Sequence, residues 1–219
     1  MHDEGVIKFS SVHRSRALGD GEAQVAVHLG AWRSIFTMTA LVGQDSQRYG
    51  GAGFGNLSGR LNPPSLARGL RRFLITGTQT GDESVLSLAH FCVVNSYQLR
   101  ANQVHSYGPV LPSSEALTHA AIYDLSPAIR FVFHVHSPTI WRHAKALRIP
   151  RSSDCVAYGT TDMAYEVQRL YRTTSLSERR VLAMGGHEDG IVAFGHSAQE
   201  AGSAVITALA AATALAGVC

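Results

Sequence analysis

The chain has 219 residues, 45% of them hydrophobic and 16% charged, which fits one globular domain or at most two small ones. The formal charge of +3 and pI of about 8.9 are a mild bias that does not point to nucleic acid. The densest basic cluster, Arg68-Gly69-Leu70-Arg71-Arg72, is short, has no interleaved aromatics and reads as a solvated turn before a strand.

In chain order, residues 5–12 alternate loosely as an early strand. Residues 22–42 carry apolar side chains at helical spacing, with Gly43 as the stop. Residues 49–55 form a glycine-dense loop; residues 54–61 and 72–76 read as strands joined through Asn62-Pro63-Pro64. Residues 87–94 and 102–107 lead into two further strands. A helix is expected from Ser113 to about Leu125, with Ser113 or Ser114 as N-cap. Then come a strand at 131–136, a short helix at 139–147, and an amphipathic helix at 161–171 capped by Thr160 or Thr161. Residues 181–184 and 190–194 read as strands around Gly185-Gly186, and a buried helix runs from Ala198 to the C-terminus. No internal repeat or linker interrupts this order, so a single α/β domain is expected.

Residues 201–219 carry no charge and are nearly long enough to span a bilayer, but they are rich in small residues and lack flanking cations and interfacial aromatics. A packed helix is expected there, not a membrane span. Asp3 and Glu4 sit where a signal peptide would carry positive charge. Three widely spaced cysteines, Cys92, Cys155 and Cys219, suit a reducing compartment and offer no Cys-based zinc site. A cytoplasmic protein is expected.

The chemistry concentrates in Phe131-Val132-Phe133-His134-Val135-His136. Side chains alternate along a strand, so His134 and His136 share one face while Phe131, Phe133 and Val135 face an apolar layer. Two imidazoles on one face can grip a metal ion; His187 and Glu115 are candidates to complete the site. Glu115 suits either a fourth ligand or a base. The competing reading is a set of incidental histidines, since the chain has eleven, or a first-turn carboxylate placed by the helix dipole alone. Two turns can form nests for phosphate or carboxylate: Gly53-Phe54-Gly55-Asn56-Leu57-Ser58 and Thr76-Gly77-Thr78-Gln79-Thr80-Gly81. Ser113 and Ser114 add hydroxyls at a helix start.

Taken in order, Gly55-Asn56-Leu57-Ser58, Phe73-Leu74-Ile75-Thr76-Gly77-Thr78, Pro112-Ser113-Ser114-Glu115 with His119 and Tyr123, His134-Val135-His136-Ser137 and residues 187–195 resemble the class II aldolase/adducin family. The resemblance spans about residues 26 to 215. It implies a single-domain three-layer α/β/α sandwich over residues 26–219 with a mostly antiparallel central sheet, and residues 1–25 as an N-terminal extension. It implies a homo-oligomer, typically a tetramer, acting on a small-molecule substrate. His134, His136 and His187 would bind a divalent metal, usually Zn2+, with Fe2+ or Mn2+ as alternatives. Glu115 would be the catalytic acid/base, matching the aldolases and not the 4-epimerase branch, which carries Asp. Gly55, Asn56, Thr78, Ser113 and Ser114 would line a phosphate pocket; His119 and Tyr123 would be structural.

Such sites act on hydroxy-carbonyl compounds, sugar phosphates among them, through an enolate whose developing charge a metal stabilises. An aldolase-type lyase is the leading expectation; a decarboxylase, epimerase or dehydratase, or a non-catalytic adducin-like module, are the rivals. The chain departs from the phosphate aldolases in three places. The segment carrying their proton-donor tyrosine is missing after the His-x-His strand, with Tyr158 and Tyr107 as possible substitutes. Gln79 stands where they have glycine, which would narrow the phosphate pocket. The N-terminal residues are additional.

Overall fold

The computed structural model describes residues 5–64, 67–83 and 85–217; Asp3, Glu4 and Cys219, weighed above, lie outside them. The elements are β1 (Ser10–Ser15), α1 (Asp20–Met38), β2 (Gly43–Gln44), β3 (Gly53–Phe54), β4 (Asn56–Arg60), β5 (Phe73–Thr76), β6 (Phe91–Gln98), β7 (Gln103–Gly108), α2 (Ala116–Tyr123), β8 (Phe131–His136), α3 (Pro138–His143), α4 (Thr161–Thr173), α5 (Leu176–Arg179), β9 (Val181–Ala183), β10 (Gly190–Gly195) and α6 (Ala198–Ala216). Eight strands form one sheet in the order β1-β7-β6-β5-β4-β8-β10-β9; β2 and β3 make a separate pair. Among the described residues, only β1 and β7 pair in parallel in the large sheet.

Each face of the sheet carries its own apolar core. Leu57, Leu74, Phe133, Val135 and Ile191 pack on one side against Val25, Leu29 and Phe36 of α1 and Ala201 and Val205 of α6. Ile75, Val94, Val132, Leu182 and Val192 pack on the other against Leu117 and Ala120 of α2 and Met163 and Val167 of α4. Helices therefore cover both faces, giving the expected α/β/α layers.

Several boundaries differ from the sequence expectation for local reasons. Ile7 and Phe9 alternate inward without strand pairing; the ladder starts at Ser10 opposite Gln103. Helix α1 stops at Met38, short of the expected Val42. The Thr39 amide closes it on the Ile35 carbonyl and the Ala40 amide on that of Thr37, Ala40 takes a left-handed φ of 54°, and Leu41 and Val42 fold into the core. Helix α2 begins after Glu115, not at Ser113; the serines form the turn ahead of it, where the Ser113 carbonyl accepts the Ala116 amide. Helix α3 ends at His143, and Thr160 caps α4 as expected.

Two readings need correction. The basic cluster is not wholly solvated: Arg71 is buried and donates to the Tyr123 carbonyl. Helix α6 buries one face only, through Ala198, Ala201, Gly202, Val205, Ala208 and Ala212, because small side chains let it lie close to its neighbours while the remainder faces solvent. Among the described residues no helix is long and apolar enough to cross a membrane.

Gly202 marks the tight contact of α6 with α1: a Cβ there would lie 2.2 Å from the Trp32 ring. Gly202→Ala is therefore expected to destabilise by about 1–3 kcal/mol through overpacking. Gly30→Ala, in α1 where a Cβ meets nothing within 4 Å, should stabilise by about 0.5–1 kcal/mol. Urea denaturation midpoints check both, and equal effects at the two sites would reject the contact.

Candidate metal centre and active site

Strand β8 lies between β4 and β10. His134 stands opposite Asn56 on one side and Val192 on the other, and His136 opposite Gly190. Val132 belongs to the α2/α4 core while Phe133 and Val135 belong to the α1/α6 core, so the alternation puts both histidines on the α2 side. His187 reaches the same place from the β9–β10 turn. That turn needs Gly185-Gly186 because added Cβ atoms would lie 2.2 Å from the Ser152 carbonyl oxygen and 2.3 Å from that of Val156. The Gly185 amide donates to Ser152 Oγ at 2.8 Å.

The three side chains converge on their Nε2 atoms: His134 to His136 is 3.1 Å, and His187 to His136 is 3.0 Å. All three are buried, and their ligand atoms lie within 4.8 Å of one another. The outer nitrogens define the tautomers. His134 Nδ1 lies 3.2 Å from the Ile191 carbonyl, and His187 Nδ1 lies 3.2 Å from Glu115 Oε1. Assigned from these acceptors, each Nδ1 carries the proton and each Nε2 turns a lone pair inward. Burial holds His136 well below the ordinary histidine value. Neutral imidazoles with second-sphere acceptors and converging lone pairs are the donor set a divalent ion requires.

Glu115 is 1% exposed. Burial alone would raise its pKa, but the hydrogen bond from His187, with further help from His134 and Thr118, holds it at about 2. The carboxylate is ionised at neutral pH. It sits on the outer nitrogen of His187; among the described residues the converging donors are the three histidines. Beneath them Ser58 Oγ lies 2.7 Å from both His119 Nδ1 and Tyr123 Oη. His119 and Tyr123 are completely buried.

The residues expected to hold an anion come together. Gly55, Asn56, Thr78, Ser113 and Ser114 line one cavity of about 30 Å³ with the glycines of both turns, Gln79, Thr80 and Gly5. Gln79 takes a left-handed φ of 57°, a conformation that glycine adopts at no steric cost. The turn is held to the segment before α2 by the Thr78 amide on the Leu111 carbonyl at 3.0 Å and the Ser113 amide on the Thr76 carbonyl at 3.3 Å. Asn56 Oδ1 is buried there without a hydrogen-bond partner.

Other neighbours carry no motif. Buried Arg33 of α1 donates to the Thr80 carbonyl at 2.7 Å and the Gly81 carbonyl at 3.1 Å, pinning the cradle loop. The Tyr49 ring meets His136 edge-on at 4.7 Å, and its hydroxyl donates to Asp189 at 2.8 Å. Tyr158 lies against His187 with ring centroids 4.4 Å apart, and Lys8 covers Tyr158. Tyr107 instead donates to Glu22 on the α1 side of the sheet and does not approach the histidines. Of these, Tyr158 and Tyr107 have a signal in the sequence, as the two substitutes for the missing tyrosine, and of the two only Tyr158 touches a histidine of the cluster.

Burial makes stability pH-dependent in the metal-free protein. Burial lowers the His119 pKa from 6.5 to about 3, and that of His136 moves the same way. Between these limits the unfolded chain binds the proton and the folded chain does not, so stability present above pH 6.5 is lost as pH falls toward 3. Glu115 has the same sign in a lower window, from 4.5 to about 2. Urea unfolding between about pH 7 and 5 should show a loss of up to about 1.4 kcal/mol per pH unit for each buried histidine. His119→Gln should reduce that slope by about one proton; an unchanged slope would reject the buried neutral His119.

The architecture has close counterparts among solved structures. L-fuculose-1-phosphate aldolase from Thermus thermophilus superposes with a TM-score of 0.61 at 18% identity, covering 88% of this chain and 93% of that one. A sugar-phosphate aldolase from Thermotoga maritima gives 0.65 at 16% identity, covering 90% and 95%. YgbL from Klebsiella pneumoniae, described by the alternatives aldolase, epimerase and decarboxylase, gives 0.65 at 17% identity, covering 91% and 92%. At these identities the likeness shows the fold. No curated protein sequence matches the chain. Residues 42–219 match the family described as Class II Aldolase and Adducin N-terminal domain, and with its buried three-histidine cluster the chain belongs to that family.

Proposed function

We propose that the protein is a metal-dependent lyase of the aldolase type, acting on a small hydroxy-carbonyl compound that carries an anionic group. The observation that carries this reading is the convergence of the His134 and His187 Nε2 atoms on that of His136, at 3.1 and 3.0 Å, with acceptors for the Nδ1 atoms of His134 and His187. Lone pairs directed at one another in a dry site repel unless a cation lies between them. His134, His136 and His187 would hold that ion, with Zn2+ the first choice for an imidazole set and Fe2+ or Mn2+ the alternatives. A divalent ion there supplies Lewis-acid stabilisation for the negative charge that develops on a substrate oxygen.

The remaining work belongs to side chains. Glu115 is ionised and adjacent to the histidines, so it takes the proton released as the carbon–carbon bond is cleaved, or returns it in the condensation direction. The cradle of Gly55, Asn56, Thr78, Ser113 and Ser114 offers backbone amides and hydroxyls to an anionic end such as phosphate. Asn56 links the halves, because it lines the cradle and pairs in register with His134.

A second reading, decarboxylation of a hydroxy or keto acid, rests on the cradle's size. Its volume of about 30 Å³ is tight for phosphate, and a carboxylate is smaller. A substrate screen over sugar phosphates, keto acids and unphosphorylated analogues, with carbon dioxide release measured in parallel, separates the two.

Purified protein should hold about one divalent ion per chain by elemental analysis. His136→Ala should lose it. Glu115→Gln should keep the ion while turnover falls by about 10² or more. Retention of metal by His136→Ala removes it as a ligand; near-normal turnover in Glu115→Gln removes the carboxylate from the chemistry.

A further inference from the structure

Tyr49 touches both of the segments that carry His136 and His187. Its ring meets the His136 ring edge-on, with centroids 4.7 Å apart, and its hydroxyl donates to Asp189 Oδ2 at 2.8 Å. Asp189 lies two residues beyond His187, in the turn between β9 and β10. The Asp189 carbonyl accepts the amide of Ser137, the residue after His136, at 2.8 Å. The end of β8 and the turn that carries His187 are thus joined twice, by a backbone bond and through Tyr49. Arg48 anchors the bridge. Its Nη2 donates to the Tyr49 hydroxyl at 3.0 Å and its Nη1 to the Ala40 carbonyl at 2.9 Å, while the guanidinium lies 4.2 Å from the centre of the Phe54 ring.

The backbone at Tyr49 is costly for a tyrosine. Its φ is 49°, in the left-handed region, and Gly50 and Gly51 follow at 67° and 81°. Glycine adopts that conformation without steric cost, whereas a side-chain-bearing residue there is strained and is kept by the contacts it makes. Here those contacts are the ring on His136 and the hydroxyl on the His187 turn. The two histidines differ in what else fixes them. His136 is held by pairing with Gly190 in the β8–β10 ladder. His187 lies between β9 and β10, outside both ladders, so its distance from His136 depends on contacts to the turn.

We propose that Tyr49 is a positioning residue for the metal site: through His136 and Asp189 it sets the separation of the His136 and His187 Nε2 atoms, 3.0 Å apart, and thereby the affinity for a divalent ion. This role presupposes the metal-site reading above, and the two fail differently. Co2+, a divalent ion that imidazole sites accept and that is visible by absorption, is titrated into wild type, Tyr49→Phe, Asp189→Ala and the double variant against a competing chelator. Tyr49→Phe keeps the ring and removes only the hydroxyl. It should bind Co2+ about tenfold more weakly, with an altered visible band. Asp189→Ala should lose at least as much, and the double variant should bind no more weakly than Asp189→Ala, because both substitutions break one bond. Urea midpoints of the four metal-free proteins are measured alongside. A lower midpoint in Tyr49→Phe with wild-type Co2+ affinity and spectrum would make the hydroxyl structural only and overturn the positioning role, as would additive losses in the double variant. A wild type that takes up no Co2+ overturns the metal site, and the role of Tyr49 with it.

Discussion

The outer faces of the histidine rings govern this site. His134 rests its Nδ1 on the Ile191 carbonyl and His187 rests its own on Glu115. Those two contacts fix which nitrogens are left as lone pairs and where they point. They also bring a carboxylate into a place where, alone, it would be protonated. Removing an ion from water costs several kcal/mol, and Glu115 is almost completely enclosed. It remains ionised because the hydrogen bond from His187, with further help from His134 and Thr118, offsets that cost. A divalent ion bound by the Nε2 atoms would act in the same direction, so ligand set and carboxylate support each other's working states.

Sheet register converts these local contacts into a rigid arrangement. Asn56, His134 and Val192 lie side by side across three adjacent strands, so a slip of one residue in either ladder would turn the site toward the α1/α6 core. The cradle is tied to the same frame by amide bonds from Thr78 and Ser113. Arg33 fastens its far end from the opposite face of the sheet. The cradle and the histidines therefore keep a set separation, and fixed separation is what lets two groups act on one bound molecule.

What could be read from the chain alone follows from the range over which each determinant acts. The His-x-His strand obeys a two-residue period, and α4 is announced by Thr160 and an apolar stripe; both are short-range rules. Three readings failed where longer-range packing decided. Helix α1 ended early because Leu41 and Val42 belong to the core. Arg71 turned inward to a carbonyl 52 residues away. Helix α6 kept one face in solvent because its small residues serve close approach to Trp32. The ordered site motifs were visible, yet Tyr49 and Arg33 were not. Each acts through an aromatic face or a backbone carbonyl, and such contacts leave no spacing to recognise.

The first strand bears on how the cradle is walled. Strand β1 adds to the sheet edge by parallel pairing with β7, and that pairing, with the hydrogen bond from Asn102 to the Lys8 carbonyl, holds the residues before it beside the cradle, where Gly5 is one of the lining residues. A small enclosed cradle excludes solvent, and a charge–dipole attraction grows as water is removed. The wall near residue 5 therefore depends on a sheet pairing formed far from the histidines, whereas the histidines and Glu115 belong to the ordered motifs that carry the family resemblance.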